Sequence, residues 1–150
     1  MTLKNLLQIG TLKEHTATAE EVNRLLAAVA RNIADAKVTA ISDETRFDAA
    51  YKAIMQLALL ALFANGYRPS TSSGGHHMTM IQSLPKSVGL PKEKMVILDA
   101  LRRKRNTADY MGGYIEVATV TAATSEAENL LEYVKDWIAR HRPELLSDSI

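Results

Sequence analysis

The chain has 150 residues, a formal net charge of +1, 47% hydrophobic and 23% charged side chains, and no cysteine. That length suits one domain with a sizeable core. The near-zero charge means that any case for nucleic acid must rest on local clustering of basic residues. A disulfide framework and thiolate chemistry are excluded. The first residues lack the apolar run of a signal peptide, and the longest apolar run, 57–64, is too short to span a bilayer. The expectation is a soluble, cytoplasmic protein with no membrane segment.

Leu3, Leu6 and Leu7 predict a short first helix over 3–9, ended by Gly10. Thr18 followed by Glu21 is a capping box. It opens a helix carrying Val22, Leu25, Leu26, Val29 and Ile33 at helical spacing and ending near Lys37. Ser42 or Asp43 caps the next, whose buried face is Phe47, Ala50, Tyr51, Ile54, Leu57, Ala58 and Ala61. Leu59, Leu60, Leu62 and Phe63 widen that face until the helix is apolar nearly all round, which places it centrally in a bundle or in a subunit interface. Asn65-Gly66 is its stop.

Residues 69–75, Pro-Ser-Thr-Ser-Ser-Gly-Gly, read as a flexible surface loop. His76 and His77 open a short helix with Met78, Ile81 and Leu84, and Pro85 and Gly89 punctuate the chain beyond it. Pro91 fits the first position of a helix that carries Met95, Leu98 and Leu101 and breaks at Gly112-Gly113. The last helix is expected to begin between Thr119 and Ser125, with Ser125 and Glu128 as a second capping box. Its apolar face is Leu130, Leu131, Val134, Trp137 and Ile138, Pro143 ends it, and the tail 146–150 frays. Trp137 reads as core. Period-two alternation is confined to a doubtful 114–120. The predicted architecture is all-α: an antiparallel up-and-down bundle of four main helices with one or two short extra helices, in a single domain over 1–150.

One stretch breaks the amphipathic pattern. At about 100° per residue, Lys94, Leu98, Leu101, Arg102, Arg105 and Asp109 share a stripe, while Arg103 and Lys104 point away from it. Charges on a packed face must be paired or used. Two readings stand: a structural ion pair, Arg105 with Asp109 or with an acid on a neighbouring helix, or a polar site facing a phosphate, which suits arginine's planar fork. Asp48, beside Tyr51, is the favoured partner for Arg102 or Arg105. Asp43 and Glu44 read as charges favoured by the helix dipole. His76 and His77 point about 100° apart on a helix, and no Cys or His-Glu-x-x-His accompanies them, so no metal and no cofactor is predicted. A histidine near Arg105 could serve as an acid-base group or contact a phosphate. Gly74-Gly75 matches no phosphate-loop spacing, and Ser70, Ser72 and Ser73 lack a nucleophile elbow.

Three stretches together resemble the bacterial type of the HEPN family, the higher eukaryote and prokaryote nucleotide-binding domains. Phe47-Asp48-Ala49-Ala50-Tyr51-Lys52-Ala53 resembles its second-helix pattern. Gly66-Tyr67-Arg68-Pro69 with Gly75-His76-His77 resembles its loop and following helix start. Leu101 through Tyr110, with Arg102, Arg105, Asn106 and Asp109, resembles its Arg-Asn region. The resemblance covers residues 3–137. It implies a helical bundle that dimerises, often as a metal-independent ribonuclease paired with a nucleotidyltransferase in toxin–antitoxin or defence systems. The family's active motif is Arg, a polar residue, several more and then His, with two copies meeting across the dimer. Arg105 and Asn106 match its first two positions, and its His falls on Tyr110. A tyrosine, with an ordinary pKa of about 10, is a poor general base at neutral pH.

The resemblance therefore predicts a homodimer that binds RNA or a nucleotide phosphate, with ribonuclease activity weak or absent. Arg105 would grip phosphate, Asp109 would hold Arg105, and Tyr110 would contact substrate or partner. Arg102, Asn106, His76 and His77 complete the binding set. Two alternatives remain: a non-catalytic module that dimerises or docks a nucleotidyltransferase-like partner, and an active metal-independent ribonuclease toxin using Tyr110 or a loop histidine.

Overall fold

Twenty-two residues without glycine or proline form α3 (Asp43–Ala64). The Ser42 hydroxyl accepts the Thr45 backbone N–H at 3.1 Å to cap its start, and Gly66, at φ +89°, turns the chain away beyond its end. In this computed structural model, which describes residues 1–71 and 75–146, α3 is the central element. Phe47, Ile54, Leu57, Leu60 and Leu62 leave it in several directions and all are buried. Its length and composition would suit a membrane span, but most of it is covered by the bundle. Helices α2 (Ala19–Ala36) and α7 (Val117–His141) pack along it and make its most extensive contacts. α2 opens with the Thr18–Glu21 capping box and buries Val22, Val29, Ile33 and Ala36. α7 buries Val120, Ala123, Ala127, Leu130, Val134 and Ile138, a stripe at three- and four-residue spacing.

Helix α6 (Lys92–Met111) is docked differently. Only Leu98, Asp99 and Leu101 of its twenty residues are buried. It leans chiefly on α4 (His76–Gln82) and touches α3 at few points. The short α5 (Leu84–Ser87) is tied to the end of α3 by Asn65, whose Nδ2 donates to the carbonyls of Ala61 and Ser87 at 2.8 and 2.9 Å.

The chain is all-α as expected, with four long helices, and the differences are local. Among the described residues, three short α-helices accompany the long ones rather than one or two, counting α1 (Leu3–Gln8) with α4 and α5. A small antiparallel ribbon joins β1 (Leu12–Glu14) to β2 (Tyr67–Pro69), with Leu12 opposite Pro69 and Glu14 opposite Tyr67. Three-residue strands are too short for alternation to register. Pro69 and Ser70, expected in the loop, are therefore buried, and the middle of that loop lies outside the described residues. Pro91 is the cap of α6 rather than its first residue. α7 begins at Val117, earlier than expected, so Ser125 lies in its interior and caps nothing. The doubtful strand at 114–120 is instead irregular over 114–116 and helical from Val117. Trp137 is only half-buried and stacks on His141 at 4.3 Å. Leu146 closes a 3-10 turn after Pro143, and the rest of the expected frayed tail is outside the described residues.

Candidate functional site

Because α6 leans on α4 and only brushes α3, an open cleft of about 420 Å³ remains between the three helices. Asp48, Lys52, Met55, Gln56 and Leu59 recur at three- and four-residue spacing and form the α3 wall. α4 contributes His77 and Met80, and α6 contributes Arg105. A second hollow of about 370 Å³ adjoins it on the other side of His77, lined by His76, Met78, Arg102 and Asn106.

Arg105 lies over the ring of Tyr51, with its guanidinium carbon 5.0 Å from the ring centroid. Its Nε is 3.9 Å from Asp48 Oδ1 and 3.8 Å from Asp109 Oδ2, beyond hydrogen-bonding reach of either. That Nε is shielded from solvent and meets no hydrogen-bond partner among the described residues. Arg102 is satisfied differently. Its Nε donates to Asp99 Oδ1 at 2.8 Å, and Arg103 approaches the other carboxylate oxygen at 3.4 Å. The hydrogen bond from Arg102 holds the Asp99 carboxyl below the usual range, against the opposing effect of its burial; the charges of Arg102 and Arg103 add to it.

The remaining titratable groups are shifted mainly by burial. Tyr51 OH and His77 Nδ1 are 3.2 Å apart. Burial first, and then the charges of His76, Arg105 and Arg102, push the His77 pKa down, so its ring is neutral at physiological pH. Burial pushes the Tyr51 hydroxyl up, against the pull of Arg105 and Arg102. It also pushes the Asp48 carboxyl up, with Arg105 opposing and Asp109 reinforcing the rise. The cleft thus joins a neutral imidazole, a carboxyl and a guanidinium with an unspent donor. No three His, Asp or Glu side chains converge as a metal site among the described residues.

No protein-family model, curated protein or solved structure matches the chain. Of the residues singled out from sequence, Arg105 and His77 share the main cleft, with Asp48 beside Arg105 as anticipated. His76, Arg102 and Asn106 face the adjoining hollow. Asp109 follows Arg105 by one turn, with its Oδ2 3.8 Å from Arg105 Nε. Tyr110 is apart from both, 90% exposed. Two residues of this region were not singled out. Asp99 precedes Arg102 by three and Arg103 by four, a helical ion-pair spacing visible in the sequence. Gln56 is the one polar residue between Lys52 and Asn65 of an otherwise apolar run, and that isolation was its signal.

Proposed function

We propose that this chain is a HEPN-type helical homodimer whose α3–α4–α6 cleft binds the phosphate of RNA or of a nucleotide. The observation that carries the reading is Arg105. A structural arginine is held by close, often bidentate bonds; this one has a shielded Nε without a bond and two carboxylates that stop short of it. The Arg105 side chain is still 34% exposed and lines the cleft, so its terminal N–H groups suit an anion entering there, with Lys52 on the α3 wall adding positive charge. Support for a second copy comes from apolar side chains left in water where α6 meets α7: Met111 is 80% exposed and Tyr114 82%.

A ribonuclease reading is favoured by His77. A neutral imidazole in the same cleft as Arg105 can take the proton of a 2′-hydroxyl, the role that Tyr110 is ill placed to fill. The test is incubation of total RNA with the protein in EDTA, beside Arg105→Ala, His77→Ala and Tyr110→Phe. Cleavage lost in the first two and kept in the third supports the ribonuclease. Phosphate binding lost in Arg105→Ala, without cleavage by wild type, supports binding alone. Equal phosphate binding by wild type and Arg105→Ala overturns the reading.

A further inference from the structure

The cleft is larger than a phosphate needs, and part of its lining has a different character. Met55 and Leu59 from α3 and Met80 from α4 make an apolar floor. Polarisable methionine and leucine side chains suit the face of a heteroaromatic ring. At the edge of that floor stands Gln56. Its Oε1 is turned toward α2, where Asn32 donates Nδ2–H to it at 2.8 Å. That bond sets the amide orientation, and Nε2 keeps its N–H donors. No partner takes them among the described residues. Arg105 and Lys52 thus bring positive charge and Gln56 an amide donor to one cleft.

We infer that the cleft holds a single nucleotide, its phosphate at Arg105 and its base on the Met55–Leu59–Met80 floor, and that Gln56, oriented by Asn32, selects keto bases over amino bases. This rests on the phosphate reading above. An amide that presents its Nε2 donor complements the carbonyl oxygens of guanine and uracil. Adenine and cytosine present an amino group where those oxygens lie, and donor would face donor. Asn32 is a positioning residue and Gln56 the residue that sets specificity. The same unit can arrive as a free nucleoside monophosphate or as one residue of an RNA strand.

The experiment measures Kd for ribose 5-phosphate, the four nucleoside monophosphates, and oligo(U) against oligo(A) RNA, using the 150-residue chain. Wild type is expected to bind GMP and UMP about tenfold more tightly than AMP and CMP, the worth of roughly one hydrogen bond. Gln56→Met should bring the four to within about twofold while leaving ribose 5-phosphate unchanged. Asn32→Asp offers only acceptors, so it should draw Nε2 of Gln56 toward itself, turn Oε1 to the cleft and shift the preference toward AMP and CMP. A loss of packing alone would not produce such a reversal. Discrimination by oligonucleotides but not by free monophosphates assigns the site to RNA, and the converse assigns it to free nucleotide. Arg105-dependent binding of ribose 5-phosphate with no discrimination among bases overturns the inference and leaves the phosphate reading standing. Discrimination unchanged in Gln56→Met also overturns it. No binding of ribose 5-phosphate or any nucleotide overturns both.

Discussion

Arg105 stacks on Tyr51: the guanidinium carbon lies 5.0 Å from the centre of the ring, and Nε is bonded to neither flanking carboxylate. The stack contributes on the order of 0.5–1 kcal/mol at a partly exposed site, and ion pairs as long and as open as those with Asp48 and Asp109 add little. Arg105→Ala is therefore expected to fold, with stability reduced by about 1 kcal/mol or less, while phosphate affinity falls about tenfold or more. Arg105→Lys should recover only part of that affinity, since an ammonium cannot reproduce the planar fork. Urea melts beside phosphate titrations separate the two effects. A large stability loss with unchanged phosphate affinity would make Arg105 structural.

Arg102 is expected to behave in the opposite way through its partner. Asp99 is buried, and it carries the 2.8 Å bond to Arg102 Nε together with the longer contact to Arg103. Asp99→Ala leaves the Arg102 guanidinium, only 15% exposed, without its counter-charge. The expected cost is on the order of 3 kcal/mol, read as a lowered urea midpoint with an unchanged slope. Asp99→Asn retains the volume and one acceptor and should cost less. A loss below about 0.5 kcal/mol, the scale of ordinary surface substitutions, would show that solvent replaces the carboxylate freely.

The long elements were legible because each carries its own punctuation. The Thr18–Glu21 box, Ser42 and Gly66 bound α2 and α3 where local chemistry places them. The start of α7 was not legible, because Glu116 caps it without a side-chain bond and Val117 and Thr119 have weak helix preference. The β1–β2 ribbon pairs residues more than fifty positions apart, and three-residue strands leave no periodic trace. In the cleft, the stripe that holds Arg102 and Arg105 could be read from the 3.6-residue period, and so could the nearness of Asp48 to Tyr51. The approach of His77 to Tyr51 could not, since it depends on how α4 docks across a long connection. The exposure of Tyr110 is likewise tertiary: among the described residues nothing packs over α6 there.

His77 should leave a mark on the pH dependence of stability. Its folded pKa lies below the ordinary value of about 6.5, chiefly through burial. Between that value and its folded pKa the unfolded chain binds more protons than the folded one, so stability is full above pH of about 6.5 and falls as the pH drops below it. His77→Gln removes this dependence. It should cost roughly 1 kcal/mol at pH 7 through the lost contact with Tyr51. Its stability should then fall less steeply than wild type on acidification, because the other three histidines are common to both proteins. Urea melts at several pH values between neutral and pH 5 measure the two slopes; parallel slopes would mean that His77 titrates as if exposed.

The junction of α6 and α7 gives the test of assembly. Gly112 and Gly113, both at positive φ, fold the chain back so that Ile115 is buried. That turn leaves Met111, Tyr114 and Val117 facing water around a single corner. A side chain at Gly113 has little room, since its Cβ would stand 3.3 Å from the Ala108 carbonyl oxygen, so the corner keeps its shape and its apolar residues keep their outward aim. A self-complementary contact between two such corners would remove this surface from water. Light scattering should therefore give a dimer for wild type and a monomer for the double substitution Met111→Glu, Tyr114→Glu. Neither site supports the core, so the melting temperature of the isolated monomer should differ little beyond the lost association. A wild-type chain that remains monomeric at high micromolar concentration would remove the second copy from the proposed function, leaving a cleft that must bind its phosphate with the residues of one chain.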